Sequence, residues 1–383
     1  MSAARPGRLP SAFPEAARIA LSQNDPREVT NLLYIIIGVL LFGLLIAVHE
    51  AGHFLAAKKL DVQVNEFAIG MGPALFTRQR GETLYSLRAF PIGGYCAMEG
   101  ENEKSESPRS FSTKSPWKKI VILVAGSAFN FLAGFLLVAI LFTSAGSYVV
   151  PVVKDFVEDF PCAGENGLMP GDRILEINGK KVRVYSDVSA CLSTAQGQTK
   201  DLVVERSGER VTLHDLPLNL REYTVEGKTV TMYGLYFDTE KATPLGVLTQ
   251  SWKTCLYFAR SVWTGLGMLV SGQVGLQDMS GPVGIVTYLG EAGSQSSSVA
   301  NGLRNVCYII ALIAVNLAIM NMLPIPALDG GRVFLLLVSE LWYLLTRRPI
   351  DPKYEAYLNA GGFLLLILLM IVVTFSDVIK LVN

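Results

Sequence analysis

Four apolar runs free of ordinary surface charge set the plan of the chain: Leu32–Ala57, Ile120–Ala145, Val306–Leu328 and Ala356–Ser376. Each reaches the ~20 residues that a helix needs to cross a bilayer. Between the first two, residues 61–98 switch to short β-rich pieces: Val62-Gln63-Val64, Thr83–Arg88 and Tyr95–Met98. Glycine punctuation at Gly70-Met71-Gly72-Pro73 and Pro91-Ile92-Gly93-Gly94 separates them. That pattern predicts a small β-hairpin sheet rather than another span. Residues 146–305 return to a soluble pattern. From Leu248 to Val270, Leu248, Trp252, Leu256, Ala259, Trp263, Leu266 and Val270 recur at helical spacing, with Lys253 and Arg260 between them. This predicts an amphipathic helix lying at a membrane surface. Val333–Leu345, with Glu340 inside it, is too short to span and reads as a helix beside the membrane.

Composition agrees. Half the residues are hydrophobic and 17% are charged, against about 25% in ordinary soluble domains. Net charge is zero, so nothing in the balance points to nucleic acid. Cys96, Cys162, Cys191, Cys255 and Cys307 are odd in number and lack CxxC spacing, which makes them packing residues rather than a disulfide frame. The segment Lys58–Lys119 carries ten Lys/Arg, and Arg332, Arg347, Arg348 and Lys353 follow the third run. The positive-inside rule places 58–119 and 329–355 in the cytoplasm, with both termini and 146–305 outside. Arg5, Arg8, Arg18 and Arg27 pull weakly the other way. Residues 1–30 have no apolar core and read as a disordered tail or a start placed too early. The long run that follows, without a small-residue cleavage pattern, is not a signal peptide.

The first run is broken only by His49-Glu50-Ala51-Gly52-His53. An ionisable side chain at the centre of a membrane helix costs roughly 2.5–3.5 kcal/mol on insertion scales, so the interruption calls for a use. On a helix the two histidines share a face one turn apart, the spacing of two nitrogen ligands to one metal ion. Glu50 is placed to act as base on a metal-bound water.

The first and third runs cross in the same direction, and the third ends in Asn321-Met322-Leu323-Pro324-Ile325-Pro326-Ala327-Leu328-Asp329-Gly330-Gly331. With ~1.5 Å rise per residue, His49 lies about 25 Å from Leu32, near the cytoplasmic edge, and Asp329 reaches a similar depth. Two histidines and a carboxylate leave a fourth position open, as catalytic zinc sites do. Iron or cobalt would accept the same ligands. Pro324 and Pro326 cannot continue a helix, so the chain must unwind before Asp329. Asn316 and Asn321 either bind an extended substrate backbone or glue helices together. In the second run Gly126, Ala128, Asn130, Ala133 and Gly134 read as helix-packing residues.

His49, Glu50 and His53, with Asn321, Pro324, Pro326, Leu328, Asp329 and Gly330, resemble the two signature motifs of the site-2 proteases, zinc intramembrane metalloproteases. The resemblance covers nearly everything after residue 30. It implies Zn2+ held by His49, His53 and Asp329, Glu50 as catalytic base, and Asn316 and Asn321 as substrate contacts. It also implies a bacterial cell (inner) membrane, and substrates that are single-span proteins of the anti-sigma-factor kind or remnant signal peptides. The 61–98 sheet resembles a re-entrant element whose edge can pair with unwound substrate, although an ordinary cytoplasmic hairpin has the same pattern. Residues 163–182, with Gly171-Asp172 and Asn178-Gly179 as turns, resemble the core of a bacterial PDZ domain. A helix near Ser186–Thr194 and strands at Leu202–Arg206 and Val211–Leu213 complete that reading. Peptide capture and size-gating are equally open to such a domain, and His214 reads as a surface histidine.

The expected architecture is therefore an α-helical polytopic membrane protein. It has four transmembrane helices, a cytoplasmic-side β-hairpin sheet and an inserted extracytoplasmic α/β PDZ domain. The expected divisions are 1–30 (tail), 31–145 (two spans with the histidine motif), 146–220 (PDZ), 221–300 (linker with the interfacial helix) and 301–383 (two spans with the aspartate motif). Two rivals stand beside a protease: a non-catalytic PDZ-bearing scaffold with a structural metal, and a metal transporter, since broken helices also mark transport paths.

Overall fold

The computed structural model describes residues 26–382 apart from 102–104, 195–196, 226–227, 276–278, 295 and 297. The expected tail up to residue 25 lies outside the described residues. Residues 26–30 instead belong to the first helix, α1 (Pro26–Lys59). It opens on a proline, whose missing N–H is one the first turn leaves unpaired anyway. Then come β1 (Val64–Arg80), β2 (Thr83–Met98) and α2 (Pro116–Ala145), which closes on Gly146 in the left-handed conformation.

Among the described residues four helices are long and apolar enough to cross a membrane: Leu32–Lys59 of α1, α2, α6 (Val299–Asn321) and Ala356–Lys380 of α8 (Pro352–Val382). The chain is a polytopic membrane protein with β-sheets inserted between its spans. The third span stops at Asn321 rather than Leu328. Pro324 and Pro326 follow at once, and the chain stays non-helical until α7 (Asp329–Thr346).

The residues between α1 and α2 form a curled sheet. Glu66–Ile69 lie between two arms of β2, pairing with Gly94–Ala97 on one side and Leu84–Leu87 on the other, while Ala74–Arg80 pair with Thr83–Arg88. Gly70, Gly72 and Gly93, all at positive φ, make the curl. Met71, Leu75, Phe76, Leu87 and Phe90 remain exposed around it. The other end of the sheet packs on the last turns of α1: Ala57, Val62, Val64, Cys96, Met98 and Phe111 share a core with Ile122 and Leu123 of α2.

Beyond α2 a second sheet has the order β10-β3-β4-β6-β7, with β5 beside β4. Its elements are β3 (Ser147–Phe156), β4 (Arg173–Ile177), β5 (Lys180–Lys181), β6 (Lys200–Arg206), β7 (Glu209–Leu216) and β10 (Leu235–Lys241), with α3 (Tyr185–Thr194) packed on it. Asn178 and Gly179 are both at positive φ, as a two-residue hairpin turn of this twist requires. The boundary expected at 220 falls inside this unit. β10 pairs along β3, and a separate hairpin, β8 (Arg221–Val225) with β9 (Lys228–Met232), sits within the intervening chain. Leu235 belongs to the same core as Leu168, Ile174, Leu202 and Leu218.

The amphipathic segment is α4 (Pro244–Val270), and it does more than rest on a surface. Cys255 and Phe258 are buried with Val138 of α2 and Ala311 and Val315 of α6, and Trp252 meets Phe131 edge-on at 5.6 Å. Its charged residue Arg260 turns away from this contact and pairs with Asp187 of α3 at 3.0 Å. α5 (Pro282–Ser294) then packs on α1, where Tyr34 and Leu289 are buried with Ile310 of α6.

Candidate metal centre

α1 and α2 meet at Gly52 and Gly126. A β-carbon on Gly52 would lie 2.5 Å from the carbonyl oxygen of Ala125 and 2.9 Å from the Gly126 Cα. That close approach presses the His49 and His53 rings onto α2. His53 is buried, and its Nδ1 lies 2.8 Å from the carbonyl oxygen of Ile122. A carbonyl only accepts, so Nδ1 carries the proton and Nε2 presents a lone pair.

Asp329 arrives from the other side as the first residue of α7. The unwound segment before it is held by Ala327 at φ 73 and by the Ala327 N–H, which donates to Asn359 Oδ1 of α8 at 3.2 Å. Gly330 lies so close to the Met322 and Leu323 carbonyls that any side chain there would collide. The fold-back of the proline segment thus needs the glycine that follows the aspartate.

Three atoms converge. His49 Nε2 and His53 Nε2 are 3.1 Å apart, and Asp329 Oδ2 lies 3.2 and 3.3 Å from them. Among the described residues this is the group of histidine, cysteine and acidic side chains that could hold a metal ion. Zinc bonded to nitrogen and oxygen at about 2.0–2.1 Å in a tetrahedron separates its ligand atoms by about 3.3–3.4 Å, close to all three edges. Asp329 Oδ2 is fully buried yet has no well-formed hydrogen bond despite its proximity to both rings, an orphaned acceptor of the kind a cation satisfies. The residues present therefore fit the ion.

The trio opens into a cavity of about 400 Å³. Glu50 lines it beside the trio, and Tyr95, Cys96, Ala97 and Met98 of β2 form one wall. Among the described residues no strand pairs with the outer edge of this arm of β2. A β-carbon on Gly94 would stand 3.4 Å from Glu50 Cγ, so the strand passes next to the carboxylate. Burial, with Glu50 nearby, pushes the Cys96 thiol up to about 12. Cys96 is not among the three residues whose ligand atoms converge. At the rim, Arg332 Nη1 donates to Glu101 Oε1 at 2.6 Å.

Asn316 and Asn321 do not line this cavity. Asn321 ends α6. Asn316 opens onto a separate space of about 460 Å³ bounded by Tyr185, Ser186 and Ser189 of α3 and Tyr257 and Phe258 of α4, with its Oδ1 buried and unpaired. Sequence reasoning read Asn130 as a helix-packing residue and did not assign it to this centre. Its amide lies 3.4 Å from His49 Nδ1, whereas an asparagine in an apolar run carries no mark of the residue it will face.

The model of peptidase family M50 matches residues 37–369. The chain is similar to a protein of Clostridium acetobutylicum that bears the name of a zinc metalloprotease, 36% identical over 351 residues, 91% of this chain and 98% of that one. It is also similar to zinc metalloprotease RasP of Geobacillus kaustophilus, 28% identical over 433 residues, 92% and 99% of the two chains. RasP of Bacillus subtilis, named as regulator of sigma-W protease, is 26% identical over 424 residues, 90% and 97%. The chain belongs to peptidase family M50, the site-2 proteases, and is a zinc metalloprotease.

Proposed function

We propose that the chain hydrolyses peptide bonds in or near the membrane-spanning segments of single-span membrane proteins. The observation that carries this is one cavity shared by the His49–His53–Asp329 group, Glu50 and an unpaired strand edge, Tyr95–Met98. A scissile bond must be extended to be cut. An edge strand supplies hydrogen bonds to an unwound substrate where water cannot.

In this reading His49, His53 and Asp329 hold zinc. Bound there, the ion supplies Lewis acidity, polarising the scissile carbonyl and acidifying a water toward a pKa of about 7. Glu50 takes the proton from the water and passes it to the leaving amine. Arg332 and Glu101 close the rim at the start of α7. Asn321 is the proposed backbone contact next to the unwound segment, and Asn316 a contact reached through the second cavity.

The β3–β10 unit with α3 is proposed as an extracytoplasmic PDZ domain, docked on α4 through Asp187 and Arg260. The bacterial origin of the relatives supports a bacterial inner membrane, and the charge distribution supports the metal centre lying toward its cytoplasmic side. The exposed Met71, Leu75, Phe76 and Phe90 suit a β1–β2 curl that dips into lipid. The name of the Bacillus subtilis relative, which ties that protein to sigma-W, supports anti-sigma-factor-like substrates. Remnant signal peptides are the other class.

Co-reconstitution with a doubly tagged single-span substrate in lipid vesicles, with product masses read directly, tests the proposal. A cut within or beside the apolar segment is expected. Zinc uptake by the vesicles with the substrate intact would point to the transporter and overturn it.

A further inference from the structure

Ile122, Gly126 and Asn130 follow one another at four-residue intervals on α2, and so lie along one face of it. The face is turned to the two imidazoles. The Ile122 carbonyl meets His53 Nδ1 at 2.8 Å, and the Asn130 amide lies 3.4 Å from His49 Nδ1. A β-carbon on Gly126 would run into both rings. Asn130 is 1% exposed.

With its nitrogen toward the ring, the Asn130 amide makes a long contact and leaves Oδ1 buried with no partner. Amide oxygen and nitrogen are nearly interchangeable in shape, and the hydrogen-bond network decides between them. Ligation of a metal through His49 Nε2 leaves the ring proton on Nδ1. An Nδ1–H needs an acceptor, and the amide turned the other way provides one. We infer that Asn130 is the positioning residue of the metal centre: its side-chain oxygen accepts the His49 Nδ1–H, fixing the tautomer and ring plane of that ligand. The Ile122 carbonyl does the same for His53. Helix α2 thus contributes no metal ligand but orients two of the three, one through a backbone oxygen and one through a side chain.

This rests on the metal-site reading, and the two fail separately. Zinc dissociation constants of the full chain in detergent, measured by competition with a chromophoric chelator, are compared for wild type, Asn130→Leu, Asn130→Asp and His49→Ala. Loss of a partner behind a ligating histidine weakens metal affinity about 10–100-fold, which is the effect expected for Asn130→Leu. Asn130→Asp keeps an acceptor at Nδ1 and is expected to bind zinc as tightly as wild type or more tightly. A leucine variant with wild-type affinity, or leucine and aspartate variants weakened alike, would overturn the role of Asn130. If the leucine variant does not fold, the aspartate variant decides alone: retained affinity supports the role, and a tenfold loss overturns it. Undiminished affinity in His49→Ala would overturn the metal site itself.

Discussion

Arg332 and Glu101 form an ion pair, Nη1 to Oε1 at 2.6 Å, that joins the first turn of α7 to the loop leaving β2. Both side chains are largely shielded from solvent, and both line the metal cavity. The pair ties the helix that presents Asp329 to the strand that forms the opposite wall. Arg332→Met and Glu101→Gln should each destabilise the folded chain by about 1.5–3 kcal/mol, the range for a hydrogen bond to a charged partner. The double variant should lose less than the sum. A double-mutant cycle on thermal unfolding in detergent measures the coupling, and additive losses would show that the pair does not act as a unit.

Gly126 separates stability from metal binding. The atoms that an added methyl group would meet are the ring ends of His53 and His49, not backbone. The rings can swing aside and the helices stay packed, but the nitrogen atoms then leave their triangle. Gly126→Ala should keep a melting temperature close to wild type while losing zinc affinity at least tenfold. Matched melting curves and zinc titrations check it. An alanine variant that binds zinc as wild type does would refute the packing of the rings on α2.

Asp377 is buried in α8, and its Oδ2 accepts the Gly284 N–H at 2.8 Å. That N–H belongs to the first turn of α5, where helix geometry leaves donors unpaired and favours negative charge. Asp377→Leu removes the acceptor and should cost about 1–3 kcal/mol. Asp377→Asn keeps an oxygen there and should lose less. Thermal melting of the two variants gives the order, and equal losses would contradict the capping role.

Glu82 predicts a pH dependence. Arg109 and Lys58 hold its carboxyl down at about 2, from an ordinary value of 4.5, and so pin the end of α1 to the β1–β2 turn. A carboxylate depressed by folding contributes stability that is fully present above its unfolded value. That contribution fades as pH falls from about 4.5 through about 2. Wild type should lose melting temperature across this window more steeply than Glu82→Gln, with the two curves converging at the acid end. Parallel curves would show that the cluster contributes nothing. Its members are partly exposed, so the difference should shrink at high salt.

The parts of the site that were legible in the sequence are those that local rules decide. His49 and His53 share a face because they are four apart in a helix. Asp329 follows an unwound segment because Pro324 and Pro326 precede it. An apolar background made each of them conspicuous. Partners chosen by tertiary packing were not legible. Asn130 has the same neighbours in sequence whether it glues two helices or faces His49. Asn316 sits on the helix that leads to Asp329, yet it faces α3 and α4, because a helix with two buried faces can present an asparagine to either cavity. The second sheet was cut short at 220 because β10 pairs with β3 across about 80 intervening residues, and no local pattern records a pairing of that range. Lys253 and Arg260 mark α4 as amphipathic without saying what its apolar face meets: Arg260 pairs with Asp187, and that face packs on α2 and α6.

In the proposed function Glu50 performs the proton transfer at a zinc centre it does not ligate. The most direct test is zinc content and substrate cleavage of Glu50→Gln, measured on one reconstituted preparation alongside wild type. One zinc per chain is expected in both, with cleavage by the variant reduced at least about 10²-fold, as follows when a general base is removed. Cleavage by Glu50→Gln at the wild-type rate, with zinc bound, would contradict it.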